Sequence, residues 1–390
     1  MRIHTGHILT MAMLAFMAAG AAGLYARTAP STPAAARPVK AVETAEEKER
    51  KRKEQQAENE KKRAEWIEKT IKFGINKDRR EAINMILGIR DESLKRSLGD
   101  RLVDVIRNET DPEVKVRAIT VAGDLKNASA APAMMEALGD DSEDVQIAAV
   151  NSLKNLKHGP ARQVLAEKLK GRDLSTDSNL TESLITAMGE FEAGELSEFA
   201  KSAIKDVKTT RTIRGSLTMF MGRLGSAAPR DFLIELLKDE DEDRDVRGYA
   251  ANALARLGAK EAAKDIDSVI ATIESYPFKK RKEHYTLYIY CVAALARLGD
   301  EKAYPRLVDA LKSDNAMVRL RAIRLLKDMK DQRTIDILKY KRDYDPSMAV
   351  QKAAREALEE MGIRSEGEKA PDAPRKPARE EPAADESSDK

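Results

Sequence analysis

The stretch that decides the fold of this chain is DRDVRGYAANALARLG, residues 243–258. Its apolar residues recur at offsets of 0, +4, +8 and +11: Val246, Ala250, Leu254 and Leu257. This spacing places the four side chains on one face of an α-helix. Gly258 follows directly, where helices commonly end on a residue with left-handed backbone. The stretch therefore predicts one amphipathic helix with a defined end.

The same pattern occurs eight times between residues 75 and 363, at intervals of 31 to 35 residues and one interval of 41. The copies start at Val114, Val145, Leu180, Ile213, Val246, Leu287, Val318 and Val350. A shorter helical pattern lies between successive copies, so each unit is predicted to be a helical hairpin. Because one hairpin cannot bury its apolar face alone, the hairpins must stack. Left-handed helix ends are predicted at Gly189, Gly225, Gly258, Gly299 and Gly362.

The pattern D-x-x-V-R-x-x-A-x-x-A-L-x-x-L-G, carried almost whole by residues 243–258, resembles the HEAT repeats of the short, phycobilin-lyase-like class. The resemblance implies an all-α fold: a right-handed α-solenoid of about eight to nine HEAT-like hairpins, counting a degenerate copy at residues 66–90. It also implies that the second helix of each hairpin lines the concave face. The sequence departs from the family at Thr181 and Tyr288, which replace the usual Arg. HEAT arrays mostly serve as binding scaffolds, so the resemblance implies binding rather than catalysis.

The regions outside the repeats differ sharply in composition. Residues 1–26 have the basic start, apolar run and small residues of a secretory signal peptide, which predicts an exported, periplasmic bacterial protein, with an uncleaved anchor as the alternative. Residues 27–42 form a Pro/Ala-rich linker, and residues 43–74 a charged helix. The HEAT array is expected over 75–363. Residues 364–390 are poor in large apolar side chains and are expected to be a disordered tail.

The composition and the short motifs of the chain offer little material for nucleic-acid binding, a metal site or catalysis. Of 390 residues 35% are charged and 4% aromatic, and 69 Lys and Arg against 66 Asp and Glu leave too little net charge to favour nucleic acid. One cysteine, Cys291, and four histidines provide little for a metal site, and no His-Glu dipeptide, which a HEAT-type di-iron hydroxylase needs, is present. We therefore expect no catalytic residues, no metal, no cofactor, and an inert Cys291 in the core.

The first candidate binding region is SYPFKKRKEHYTLYIY, residues 275–290, within the 41-residue interval. Surface aromatic side chains supply contact area, and the adjoining cations attract acidic groups. The binding residues predicted here are Tyr276, Phe278, Lys279, Lys280, Arg281, Lys282 and Tyr285. The alternative is that Tyr288 and Tyr290 pack between repeats while the cations form a solvated turn.

The second candidate is a basic ladder at offset +10, formed by Arg223, Arg256 and Arg297. Equivalent positions in a solenoid lie roughly 10 Å apart, so the three would form a row on the concave face. The alternative is that each arginine only complements the dipole at its helix end.

Together these features predict an exported scaffold or adaptor that binds a protein or peptide partner, acidic if the cations form the site. Nucleic acid is not expected as a partner. A cell-envelope structural protein, tethered near membrane or cell wall through the charged N-terminal helix, is the alternative. An enzyme is the third hypothesis, which a metal or organic ligand bound to the purified protein would revive. The sequence leaves the oligomeric state open.

Overall fold

A computed structural model describes residues 44–363 of the chain. The predicted signal peptide (1–26), linker (27–42) and tail (364–390) lie outside these residues. Within the described residues, the repeats lie in one compact unit that begins at residue 55. All regular structure in the described part is helical, which confirms the predicted all-α fold.

The described residues form nineteen α-helices, and eighteen of them pair into nine hairpins. In each hairpin a first helix (A) leads into a second helix (B). The first five hairpins are α1 (Ala45–Phe73) and α2 (Asn76–Met85), α3 (Glu92–Asn108) and α4 (Pro112–Asp124), α5 (Ala131–Glu136) and α6 (Glu143–Asn155), α7 (Ala161–Lys170) and α8 (Asn179–Glu190), and α9 (Ser197–Lys205) and α10 (Arg211–Met221). The other four are α11 (Arg230–Lys238) and α12 (Arg244–Arg256), α13 (Ala263–Ser275) and α15 (Tyr285–Leu298) with the short α14 (Phe278–Glu283) between them, α16 (Ala303–Asp309) and α17 (Ala316–Met329), and α18 (Ile335–Tyr344) and α19 (Met348–Glu360).

The B helices pack against one another in chain order from α2 to α19. In seven of the nine hairpins, from α3/α4 to α13/α15 and again in α18/α19, the A helix packs against the B helix of its own hairpin. The repeat pattern explains this arrangement. In the eight copies, every residue at offsets 0, +4 and +8 is buried except Val318, which is half-buried. The small alanines at +4 in most copies let neighbouring helices approach closely. The result is a stack with one continuous apolar core.

The first hairpin begins on α1, ahead of the predicted boundary at residue 75. Ala64, Ile67 and Ile71 on α1 are buried in the core of the stack. The C-terminal part of α1 is therefore the A helix of the degenerate first copy, and α2 is its B helix. In contrast, residues 46–59 of α1 are all exposed.

All eight B helices from α4 to α19 end at a left-handed residue at offset +12. These residues are Lys126, Lys157, Glu192, Gly225, Gly258, Gly299, Lys330 and Gly362. The prediction for Gly189 is wrong, because this residue lies at offset +9 inside α8 and the left-handed position of its repeat belongs to Glu192. Gly189 instead leaves room for Arg223 of the next repeat, because a Cβ there would lie 2.8 Å from the Arg223 Cδ.

The left-handed ends give a prediction about stability. A non-glycine residue at positive φ costs about 1–2 kcal/mol, and glycine avoids this cost but adds freedom to the unfolded chain. Replacing the exposed Lys157, whose φ is 50°, by glycine should therefore raise the free energy of unfolding by about 0.5–1 kcal/mol. Urea unfolding followed by circular dichroism measures the change. Gly258→Ala, the opposite exchange at the same offset, should destabilise by a similar amount, and a loss of stability in Lys157→Gly would contradict the assignment.

Candidate functional site

A groove runs across the exposed surface of five B helices, α10, α12, α15, α17 and α19, and encloses about 530 Å³. Its lining includes six cationic side chains, two carboxylates and two tyrosines. We call it the basic groove, and the residues concerned are Arg223, Arg256, Arg321, Arg324, Lys327, Lys352, Asp328, Glu356, Tyr249 and Tyr290. The charged residues and tyrosines come from offsets +2, +3, +6, +9 and +10 of the repeat, which lie away from the core offsets on the same helices.

The floor of the basic groove is built by glycines that admit tyrosines. Tyr249 lies against Gly215 of the preceding repeat, and Tyr290 lies against Gly248 in the same way. A Cβ on Gly215 would lie 2.7 Å from Tyr249 Cε2, and one on Gly248 would lie 2.5 Å from Tyr290 Cδ2. Because glycine at +2 leaves space for the ring at +3 of the next repeat, the two tyrosines settle into the B-helix layer.

The two tyrosines contact each other and a cation. Their rings meet edge to face, with centroids 5.3 Å apart, and the Arg321 guanidinium lies 5.3 Å from the Tyr290 centroid. Arg321 Nη1 also donates a 2.8 Å hydrogen bond to Thr286 Oγ1 and lies 3.6 Å from an oxygen of Asp245. Burial, more than any neighbouring charge, raises the pKa of Tyr290 well above its ordinary value. The groove floor is therefore neutral and aromatic, with cations at its edges.

The predicted arginine ladder lies in or beside this groove, but each of its members already has a partner. Arg223 Nη1 lies 3.4 Å from Glu190 Oε1. Arg256 forms an ion pair with Asp328, which is two repeats further along the chain. Arg297 Nη1 donates a 3.4 Å hydrogen bond to the Asp328 main-chain oxygen.

Arg256 and Arg297 therefore converge on one residue of α17 rather than standing as separate rungs. Burial and then the nearby charge of Arg256 lower the pKa of Arg297, while Asp328 opposes this. The Arg297 guanidinium nevertheless stays charged at neutral pH. Arg223 and Arg256 line the groove, whereas Arg297 is not part of its lining.

Two of the remaining groove cations are more accessible than the arginines of the ladder. Arg324 is exposed on α17, and Lys352 on α19 has a side chain 77% exposed, with Glu356 Oε1 3.8 Å from its Nζ. Exposed pairs of this kind contribute only about 0–1 kcal/mol, so an incoming carboxylate can displace them. These two residues carry the most available positive charge that we find in the groove.

The same surface of the N-terminal repeats has a different charge. Across α2, α4 and α6 it contains a larger hollow of about 770 Å³ with two cations, Arg80 and Arg117, and three carboxylates, Glu113, Asp124 and Asp144. The repeat offsets are equivalent, but the residues placed on them are not. Positive charge is therefore a local property of the surface from α10 to α19 and not a feature of every repeat.

The aromatic and basic region predicted between the A and B helices of the seventh hairpin forms α14 and its flanks. Phe278 is 81% exposed, and all four cations from Lys279 to Lys282 are exposed. The Lys280 Nζ lies 3.8 Å from the centre of the half-buried Tyr276 ring. Tyr285 stacks on Tyr288, with centroids 5.6 Å apart.

Two other tyrosines of this region pack as the alternative interpretation proposed. Tyr288 is half-buried, and its hydroxyl accepts hydrogen bonds of 3.0 and 2.7 Å from Arg306. Tyr290 is buried against Gly248, as described above. The exposed apolar surface of the region is thus concentrated on Phe278.

The two predicted regions are not brought together. Tyr285 lies at the start of α15 and Arg297 near its end, and twelve residues of α-helix span about 18 Å. The α14 region therefore lies at the N-terminal ends of the B helices, while the arginine ladder lies at their C-terminal ends. Sequence reasoning missed Arg321, Arg324 and Lys352, because it followed only offset +10; offsets +2, +3 and +6 hold the signal that would have identified them.

Other chemistry at the described residues is limited. Burial raises the pKa of Cys291 to about 12, so its thiol stays protonated at neutral pH. In residues 44–363 we find no group of three or more His, Cys, Asp and Glu side chains placed to hold a metal ion. No helix of that same range is both long enough and apolar enough to cross a membrane.

Comparison with known families agrees with the geometry. Residues 99–185 and 279–362 match the model of the HEAT repeats. These segments are HEAT repeats. They include part or all of α3 to α8 and α14 to α19, so the second segment contains the three C-terminal B helices of the basic groove. No curated protein sequence matches the chain.

Several solved structures resemble the HEAT array at low sequence identity. An engineered protein is 17% identical with a TM-score of 0.37, and the match covers 77% of this chain and 88% of that one. The complex of CpcE and CpcF of phycocyanin lyase from Nostoc sp. PCC7120 is 17% identical with a TM-score of 0.38, over 68% and 93% of the two chains. Human deoxyhypusine hydroxylase is 19% identical with a TM-score of 0.33, over 69% and 97%.

Proposed function

We propose that this chain is a non-enzymatic scaffold or adaptor that binds an extended, acidic segment of a partner protein in the basic groove. The main support for this proposal is that six cations surround two tyrosines on the surface from α10 to α19. In contrast, the equivalent surface of α2, α4 and α6 has two cations and three carboxylates. We further propose, from the apolar pattern of residues 1–26, that the protein acts outside the bacterial cytoplasm.

The chemistry of the groove suits an acidic peptide. Aspartate and glutamate side chains can pair with the accessible Arg324 and Lys352. The backbone of an extended segment can lie over the half-buried ring of Tyr249, which packs edge to face on the buried Tyr290. Weak internal pairs such as Arg223 with Glu190, at 3.4 Å, leave guanidinium donors available for a second carboxylate. Electrostatic attraction should set the association rate, and the tyrosines should slow dissociation.

A structural role in the cell envelope is the second candidate. Residues 46–59 of α1 are all exposed, and ion pairs between neighbouring turns, such as Lys53 with Glu49 at 3.0 Å, line this segment. Such a helix can act as a spacer between an attachment point and the array. Retention of the protein in the envelope fraction after removal of residues 1–26 would favour this role over a freely diffusing adaptor.

Reversing the two accessible charges of the groove tests the proposal. Arg324→Glu/Lys352→Glu should weaken binding of a fluorescein-labelled decapeptide of alternating Glu and Ala about tenfold or more at low salt, because two attractions become repulsions. Fluorescence anisotropy gives the dissociation constant. The difference in affinity between the two chains should shrink at roughly 0.5 M salt, where such charges are screened. Both residues are exposed, so stability should change by only about 0.5 kcal/mol per substitution.

A matched control separates the groove from net charge. Lys264 on α13 and Lys339 on α18 are exposed residues of A helices outside the groove lining. Lys264→Glu/Lys339→Glu changes the net charge by the same amount and should leave the affinity nearly unchanged. Equal weakening by both double variants, or none by either, would contradict the groove as the binding site.

A further inference from the structure

We infer that residues 380–390 of this chain occupy the basic groove when no partner is bound, so that the partner must displace them. The inference rests on the proposed function of the groove as a site for acidic segments. It adds a competitor that the chain itself carries.

Charge in the C-terminal region is divided into two parts. Residues 364–379 contain five basic and three acidic residues, whereas residues 380–390, EEPAADESSDK, contain five acidic residues and one basic residue. The acidic part contains neither an aromatic nor a large apolar side chain. It has the chemistry that the basic groove is proposed to recognise, and it is separated from the array by a segment of opposite charge.

The array ends beside the groove. Ala349, Lys352, Ala353 and Glu356 of the last helix, α19, line it. Lys327, another lining residue, forms a 2.8 Å ion pair with Glu360, the final residue of α19. The chain beyond Ile363 therefore starts within a few residues of the groove wall.

The intervening length matches the span of the groove. Seventeen residues take the chain from Ile363 to Glu380, which is a span of about 21–25 Å for a random coil and at most about 56 Å for an extended chain. Adjacent B helices lie about 10 Å apart, so this distance reaches the middle of the groove from α19. The eleven residues that follow can extend about 36 Å and cover the remaining helices.

Tethering makes a weak interaction effective. A short flexible linker gives a local concentration of about 1 mM. If the acidic segment alone bound with a dissociation constant of about 0.2 mM, it would lower the apparent affinity of a competing peptide about sixfold. Only a partner that makes more acidic or aromatic contacts with the groove than residues 380–390 do would then bind well.

The test neutralises the acidic segment in the full chain. The variant carries E380Q, E381Q, D385N, E386Q and D389N, and the labelled Glu-Ala decapeptide is the probe. We expect binding about sixfold tighter than to the unmodified chain at low salt, with the difference lost in high salt. Neutralising the proximal acids instead, with E366Q, E368Q and D372N, should change affinity little, because five basic residues outnumber these three acids in residues 364–379 and keep that segment from competing for the groove cations.

A second background separates competition from net charge. In the R324E/K352E chain the groove is weakened, so neutralising residues 380–390 should give little or no gain. A gain of the same size in both backgrounds would overturn the inference. So would a gain that grows with protein concentration, because the segment would then occupy the groove of a second copy.

The two proposals fail in different ways. One outcome is that the decapeptide binds the unmodified chain and loses its binding to R324E/K352E, while the variant with residues 380–390 neutralised binds it no more tightly. In that case the groove is a binding site and the inference about residues 380–390 is wrong. If the decapeptide binds neither the unmodified chain nor any variant, including the one with residues 380–390 neutralised, the proposed function and the inference both fail.

Discussion

Replacing Asp345 by asparagine should lower the free energy of unfolding by about 3–5 kcal/mol. Asp345 is 1% exposed in the turn between α18 and α19, and it accepts hydrogen bonds of 2.9 and 2.8 Å from Arg319 of α17. Lys341 Nζ lies 3.2 Å from the same carboxylate. Asparagine keeps the shape but removes the charge, which leaves the buried Arg319 guanidinium without its counter-ion.

The neighbouring Asp343 provides a matched control for this prediction. It forms an ion pair with Arg342 at 2.7 Å, but its side chain is 37% exposed, so Asp343→Asn should cost only about 0–1 kcal/mol. Urea unfolding followed by circular dichroism measures both variants. Equal losses in the two would show that the buried pair does not hold the last hairpins together.

The pH dependence of the same pair has a definite sign. Burial alone would raise the pKa of Asp345, but the hydrogen bonds from Arg319, the Ser347 N–H and Lys341 outweigh it and hold the pKa below its ordinary value of 3.8. A depressed folded-state pKa adds stability above the unfolded pKa, and this stability is lost as pH falls through the folded one. The difference in stability between the unmodified chain and Asp345→Asn should therefore be constant from pH 7 to about pH 5 and shrink below about pH 4.

The repeat architecture could be predicted from the sequence because it depends on local periodicity. The spacing of Val246, Ala250 and Leu254 is repeated in eight copies, and the same offsets define the core. The error at Gly189 had a simple origin, since glycine was taken as the marker of a helix end. The offset is the better marker: Glu192 stands at +12 and takes the left-handed conformation without being glycine.

The contacts of the candidate site could not be predicted in the same way. Arg256 and Asp328 lie 72 residues apart, and their ion pair depends on how three successive hairpins are rotated against one another. No local pattern encodes that rotation. The glycines at 215 and 248, each followed one repeat later by a tyrosine, were a readable signal, because a missing Cβ beside an exposed-looking aromatic residue indicates where the ring packs.

Placing a carboxylate at the centre of the stack should have the other large effect. Leu254 on α12 is fully buried, and α12 packs against α10, α11 and α15. Leu254→Asp removes the leucine packing, which alone costs about 2–5 kcal/mol, and introduces a group that must be buried either charged or neutralised. We expect a total loss of at least about 4 kcal/mol, whereas Lys264→Asp, at an exposed site on α13, should stay within about 0.5 kcal/mol.

The distribution of the damage from Leu254→Asp is as informative as its size. In a stack each hairpin contacts only its neighbours, so disruption should be greatest next to the substituted helix and weaken with distance. Hydrogen exchange should show lost protection from α10 to α15, while α3 and α4 keep most of theirs. Because α12 and α15 form the floor of the basic groove, the same variant should also bind the acidic decapeptide weakly. Full protection between residues 211 and 298 would contradict the core assignment, and equal loss in every hairpin would show that the array unfolds as one unit instead of as a chain of coupled repeats.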